Sequence, residues 1–289
     1  MKVVLFCGGL GMRIRDYSDT IPKPMVTVGY RPILWHVMKY YAHFGHTDFI
    51  LCLGYRGDVI KNYFLHYDEA VSNDFVLSKG GQEIHLLNSD ISNWRITFVD
   101  TGASTSIGQR LKTVEPYLED DRGFLANYSD GLTDLELPHY LSEVTARDKI
   151  ASFLCVRPTP TFHVVSAETD GIVTGIEAVN ASDVWINGGF FYFKREIFDY
   201  IHIGEDLVLE PFDRLISRQE LFAYKYTGFW TAMDTFQDRE RIEGMYARGE
   251  APWELWRAAA RTPRTQRPQF RLAPPDPPEH LDPPSERSG

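Results

Sequence analysis

The residues best suited to chemistry in this chain lie near its start, where Phe6-Cys7-Gly8-Gly9-Leu10-Gly11-Met12-Arg13 is followed by Pro22-Lys23-Pro24-Met25. Lys2 to Cys7 is a short apolar run of the kind that forms a buried first strand. Gly8, Gly9 and Gly11 leave backbone N–H groups free to approach phosphate oxygens closely. Arg13 and Lys23 add cationic charge, so the segment reads as a grip for a nucleoside triphosphate. A dinucleotide-binding fingerprint requires a third glycine where Ile14 stands, and a P-loop requires a Gly-Lys-Ser or Gly-Lys-Thr ending that is absent. The loop therefore favours nucleotidyl transfer over the two commoner readings.

Attack of a phosphate oxygen on the α-phosphorus of a nucleoside triphosphate needs no protein nucleophile, because the acceptor is already an anion. It needs charge neutralisation and in-line positioning. Magnesium is the usual agent, held by one or two carboxylates together with phosphate oxygens and water. Asp130, in Tyr128-Ser129-Asp130-Gly131, is the first candidate, just past an apolar strand where open α/β sheets bind ligands. Asp234, in Trp230-Thr231-Ala232-Met233-Asp234-Thr235, is the second; it reads equally as an N-cap whose helix includes Arg239. Asp121 and Asp134 read as solvated or capping charges. Ser129 has no neighbouring base and is not a nucleophile. His36, His43, His46 and His66 lack a metal-ligand spacing that survives helix geometry, since Gly45 ends the helix between His43 and His46.

The elements that must position these groups follow from periodicity. Strand-like runs at Lys2–Cys7, Asp48–Leu53, Arg95–Asp100, Gly123–Tyr128 and Ile150–Val156 alternate with helical patterns, which predicts an α/β fold with a mostly parallel sheet. Pro32 suits a first helical position, Ile33, Leu34, Val37, Met38 and Tyr41 recur with helical period, and Gly45 closes the element. Asp58 reads as the N-cap of a second helix. Between 157 and 193 the pattern changes to short strand candidates at Phe162–Val165, Ile172–Glu177 and Gly188–Phe193, predicting a small antiparallel region over the site. A helix near Leu209–Ser217, a strand at Leu221–Tyr226 and a helix at Thr235–Arg248 complete a domain spanning residues 1–256.

Composition sets the outer bounds. The formal net charge of −10 argues against a duplex nucleic-acid or anionic-membrane partner, both of which demand a basic surface. Cys7, Cys52 and Cys155 sit inside apolar runs without ligand spacing, as reduced buried thiols of a cytoplasmic protein do. No apolar run approaches a membrane span. The segment 257–289 carries eight of the seventeen prolines and is expected to be an extended or disordered tail, either a solvated extension or a docking arm for a neighbouring subunit.

Four blocks together resemble the sugar-1-phosphate nucleotidyltransferases, and among them the glucose-1-phosphate cytidylyltransferases. They are Gly8 to Arg13 with Pro22-Lys23-Pro24-Met25; Pro32-Ile33-Leu34-Trp35-His36 with Gly54-Tyr55-Arg56-Gly57; Val99-Asp100-Thr101-Gly102 with Arg110-Leu111-Lys112; and Gly228-Phe229-Trp230 through Met233-Asp234-Thr235 to Ala251-Pro252-Trp253. They follow the family's order over residues 1 to about 256. The resemblance implies a Rossmann-like sheet, a magnesium-dependent transfer from CTP to a phosphorylated acceptor such as glucose 1-phosphate, and a homo-oligomer with an interface near Trp253 and Trp256. By the same resemblance Asp130 and Asp234 hold the metal and Arg13 and Lys23 are the catalytic phosphate-binding cations. Gly8, Gly9, Gly11 and Met12 line the nucleotide, with Met12 replacing the usual threonine, and Gly102 and Arg110 face the base.

The acceptor half departs from the family. Glu177-Ala178-Val179 stands where relatives carry Glu-Lys-Pro, whose lysine neutralises the sugar phosphate, and Phe162-His163 replaces a phenylalanine-glycine pair. Glu177 and Asn187 match residues that bond sugar hydroxyls, and His163 is the candidate replacement cation. Two alternatives follow: a different phosphorylated or phosphonate acceptor, or a nucleotide-binding regulatory protein without turnover. A pure binding module has no need of two metal carboxylates.

Overall fold

The computed structural model describes residues 1–8, 21–119, 121–158, 163–179 and 182–260. Its centre is an eight-stranded sheet. Val3–Cys7 lies in the middle, parallel to Asp48–Leu53 on one side and to Gly123–Tyr128 on the other, and Arg95–Asp100 extends the parallel run beyond Asp48–Leu53. Beyond Gly123–Tyr128 come the antiparallel Phe191–Lys194, then Ala151–Val156, which pairs in parallel with Leu221–Tyr226.

Alternation along the first strand distributes its side chains to two cores, as strand geometry requires. Val3, Leu5 and Cys7 meet Leu51, Leu125 and the helices Ile33–His43 and Leu137–Ala146 on one face. Val4 and Phe6 meet Ile50, Phe124 and the helices Ile107–Thr113 and Glu210–Ser217 on the other. Strands buried on both faces read as continuous apolar runs, which is why the sequence locates them closely.

Several local expectations are corrected. Pro32 precedes its helix as the cap, and Ile33 is the first helical residue. Asp58 is not an N-cap: the helix Gly57–Leu65 is preceded by Arg56 in the left-handed region at φ 52°, and Asp58 sits in the first turn, where its carboxylate accepts from Arg56 Nε at 3.1 Å. The segment 157–193 divides. His163–Ala167 and Val173–Ala178 form a separate antiparallel pair, whereas Phe191–Lys194 enters the central sheet because Phe191 and Phe193 are fully buried. The hairpin of Phe75–Ser78 and Glu83–Leu86 is a further exposed excursion without strong sequence periodicity.

His36 is structural. Its Nδ1 accepts from Trp253 Nε1 at 3.3 Å, so its Nε2 carries the proton and donates to the Val28 carbonyl at 3.0 Å. Trp253 is 1 % exposed and packs inside the core of its own chain. A short helix, Leu255–Ala260, follows; residues 261–289 of the proline-rich tail lie outside the described residues. Among the described residues, no helix is long and apolar enough to cross a membrane.

Candidate active site

The parallel strands end on one edge of the sheet, and Gly8, Gly54, Thr101 and Ser129-Asp130 lie just past those ends, the usual ligand edge of an open α/β sheet. Arg110, on the helix Ile107–Thr113, reaches across and is 3 % exposed. Its Nη1 donates to Thr101 Oγ1 at 2.7 Å and to the Leu53 carbonyl at 3.2 Å; Nη2 donates to the carbonyls of Gly8 at 2.8 Å and Ala103 at 3.3 Å. The guanidinium thus ties together the ends of three strands. Glycine is required beside it, since a Cβ on Gly8 would lie 2.0 Å from Nη1 and one on Gly54 would lie 2.8 Å from it. Gly102, at φ +89°, turns the chain after the third of these strands and donates its N–H to Asp100 Oδ1 at 3.0 Å.

The two candidate metal carboxylates are far apart in sequence but adjacent in space. A short antiparallel ladder pairs Gly131–Thr133 with Trp230–Ala232, and the Met233 N–H donates to the Asp130 carbonyl at 3.1 Å. Asp130 and Asp234 thereby converge on the ammonium of Lys23, which contacts Asp130 Oδ2 and lies 2.7 Å from Asp234 Oδ1. Lys23 opens a single 3-10 turn between Pro22 and Pro24, with Pro24 and Met25 buried. Burial alone would lower the Lys23 pKa, but the two carboxylates outweigh it and raise it above the ordinary lysine value. The N-cap alternative for Asp234 is excluded: Thr235 caps the helix Phe236–Ala247 and forms a capping box with Asp238.

A cavity of about 370 Å³ opens onto Lys23 and Asp130, lined also by Gly8, Thr105, Arg110 and Tyr128. Asn187 adjoins it through Tyr128: its Nδ2 donates to the Tyr128 hydroxyl at 3.4 Å while its Oδ1 holds the Gly189 N–H at 2.9 Å. His163 and Glu177 are exposed on the antiparallel hairpin, where His163 pairs with Ala178 and Glu177 with Val164; neither lines the cavity. Gly9, Gly11, Met12 and Arg13 lie outside the described residues.

Comparison with known proteins agrees with this geometry. Residues 2–237 match the nucleotidyl transferase family. The chain belongs to that family. The nucleotidyl transferase is 37 % identical to the glucose-1-phosphate cytidylyltransferase of Salmonella typhi over 89 % of this chain and 100 % of that enzyme. Its identity to the Salmonella typhimurium enzyme of the same name is also 37 %, with the same coverage. The fold is shared with a UDP-glucose pyrophosphorylase solved with UDP-glucose, at a TM-score of 0.62, 14 % identity and coverage of 86 % of this chain and 98 % of that one.

Two acidic residues of the nucleotidyl transferase escape sequence reading. Asp206 lines the cavity, and together with Asp130 it assists burial in pushing the Tyr128 hydroxyl up to about 12, so that side chain is a neutral donor and acceptor. Nothing in the spacing around Glu205-Asp206 marks it. Asp134 is no surface charge. Its Oδ1 accepts from the Tyr226 hydroxyl at 2.5 Å and the Phe229 N–H at 2.8 Å, clamping the segment that leads into the strand Trp230–Ala232 and on to Asp234. Burial pushes the Cys7 thiol far up and Cys52 to about 12, so neither is a nucleophile.

Proposed function

We propose that this nucleotidyl transferase moves the cytidylyl group of CTP onto the phosphate of a sugar 1-phosphate, glucose 1-phosphate in the first instance, and works in sugar-nucleotide biosynthesis. An oxygen of the sugar phosphate bonds to the α-phosphorus, the bond from that phosphorus to the β-phosphate bridge breaks, and pyrophosphate leaves. The choice of base and sugar is supported by the Salmonella cytidylyltransferases that cover the same length. The single observation that carries the chemistry is the meeting of Asp130, Asp234 and Lys23 at the ligand edge of the sheet.

The donor set suits magnesium. Two carboxylates converge on one cationic point, both are hard oxygen donors, and among the described residues no group of three or more His, Cys, Asp or Glu side chains competes for a metal. Asp130 and Asp234 would hold the ion, with phosphate oxygens and water completing its shell. When bound, the ion supplies charge neutralisation on the phosphates and aligns the in-line displacement. Lys23 adds cationic charge toward the triphosphate, and Arg110 holds the carbonyl of Gly8 so that the first glycine of the loop starts in a fixed orientation.

A second reading within the class, transfer to a different phosphorylated or phosphonate acceptor, is favoured by Ala178. Loss of an ammonium opposite a phosphate costs several kcal/mol when the site is desolvated. Pyrophosphate release measured for each nucleoside triphosphate against a panel of phosphorylated acceptors tests both readings. CTP with glucose 1-phosphate is expected to be the productive pair; a higher specificity constant with dTTP or UTP would overturn the base assignment, and one with another acceptor would overturn the sugar.

A further inference from the structure

We infer that Lys23 is a stand-in cation that keeps Asp130 and Asp234 together until a divalent ion arrives with its nucleotide, and then passes the carboxylates to the metal and turns to the phosphates. The inference rests on the metal reading of these two aspartates proposed above.

The backbone forces the two carboxylates together. Asp130 follows the sheet strand Gly123–Tyr128, its neighbour Ser129 is anchored through its hydroxyl to the Phe6 carbonyl at 2.9 Å, and the Met233 N–H fixes the Asp234 side at 3.1 Å from the Asp130 carbonyl. Their mutual repulsion calls for a cation between them. Among the described residues, Lys23 is the cation in contact with either one, and its ammonium touches both. Its main chain is held by Pro22, Pro24 and the buried Met25, but its four-carbon stem can swing, whereas the carboxylates are short and set on ordered backbone. The movable partner is the lysine.

Exposure gives the exchange a route. The Asp130 side chain is 15 % exposed and that of Asp234 is 48 %, so Asp234 is the carboxylate open to solvent while the ammonium covers Asp130. A free divalent ion would have to expel an ammonium with no anion to receive it. A nucleotide-bound ion brings phosphate oxygens into the same cavity, where Lys23 is already a lining residue. Metal and nucleotide should therefore bind with positive coupling, and by linkage each raises the affinity for the other by the same factor.

The test is Mn2+ binding to the purified full-length protein without nucleotide, followed by electron paramagnetic resonance of free Mn2+ at about 0.3 M salt, where long-range repulsion is screened. Wild type should bind weakly, and Lys23→Met should bind at least tenfold more tightly. That gain should vanish in the Lys23→Met/Asp130→Asn double variant. Lys23→Gln, which retains N–H donors without the charge, covers the case in which the methionine variant does not fold and should show the same gain. Added Mn2+ should also raise the melting temperature of either single variant more than that of wild type. Unchanged Mn2+ affinity in the folded single variants, or a gain that survives loss of Asp130, overturns the inference. This readout is independent of turnover: CDP-sugar synthesis with unchanged Mn2+ affinity would sink the stand-in role alone, and the expected affinities in a protein that makes no CDP-sugar would sink the proposed activity alone.

Discussion

His163 stands directly across from Ala178 in the antiparallel pairing of His163–Ala167 with Val173–Ala178. Side chains so paired have Cβ atoms about 4.5–5.5 Å apart, so an imidazole can reach the space a lysine at 178 would occupy. The residue that replaces a glycine of the family pattern and the residue that replaces its lysine are thus cross-strand neighbours. Both lie on an exposed hairpin outside the central sheet, so substitutions there leave the core undisturbed.

That pairing makes the acceptor assignment testable by kinetics. If His163 supplies the missing charge, wild type should turn over glucose 1-phosphate efficiently, Ala178→Lys should change kcat/KM by less than about threefold, and His163→Ala should raise KM by about tenfold or more, a loss of about 1.4 kcal/mol. A large gain from Ala178→Lys would show that the charge is uncompensated in wild type. Negligible glucose 1-phosphate turnover in both would assign the site to another acceptor.

Asp130 is held by the sheet and by the ladder that joins it to Met233, so replacing its carboxylate should spare the fold. Asp130→Asn is expected to keep the melting temperature within a few degrees and to lower kcat at limiting magnesium by about a hundredfold or more, through weakened ion binding. Wild-type turnover by the folded variant would falsify a metal role for this residue.

The C-terminal anchor should be acid-sensitive. Burial lowers the His36 pKa from 6.5 to about 4, with the Val28 carbonyl opposing the shift and the charges of Arg257 and Arg31 adding to it. The folded state therefore favours neutral imidazole. Because the folded value is depressed, this contribution is present above about pH 6.5 and is lost as pH falls toward about 4, by up to about 3 kcal/mol at about 1.4 kcal/mol per unit. Protonation of Nδ1 also removes the acceptor for Trp253 Nε1. Thermal melts should show wild type losing stability relative to His36→Gln over this window, with a constant difference between them above pH 7. A difference that stays constant down to pH 4 would contradict the assignment.

Legibility in the sequence followed the range of the interaction that fixes each element. Strands buried on both faces, such as Asp48–Leu53 and Gly123–Tyr128, announce themselves through apolar runs that need no partner to be recognised. The ladder between Gly131–Thr133 and Trp230–Ala232 has three residues on each side and no periodicity, yet it brings Asp130 to Asp234. Lys23 was readable as a cation beside a glycine loop, but its position between two carboxylates depends on that ladder. Asp134 and Asp206 look like ordinary surface acids because a carboxylate's partner, a Tyr226 hydroxyl in one case and a cavity wall in the other, is set only by tertiary structure. Arg110 reads in the sequence only as a base-facing candidate implied by the resemblance, while its bonds to the Gly8, Leu53 and Ala103 carbonyls require knowledge of where the strand ends meet.

The most direct measurement follows the fate of the α-phosphate. With CTP labelled at that phosphorus, glucose 1-phosphate and magnesium, all consumed label should appear in a CDP-sugar, with an equimolar amount of unlabelled pyrophosphate. Label recovered as CMP without a sugar nucleotide, or CTP left intact while the acceptor is present, would contradict cytidylyl transfer.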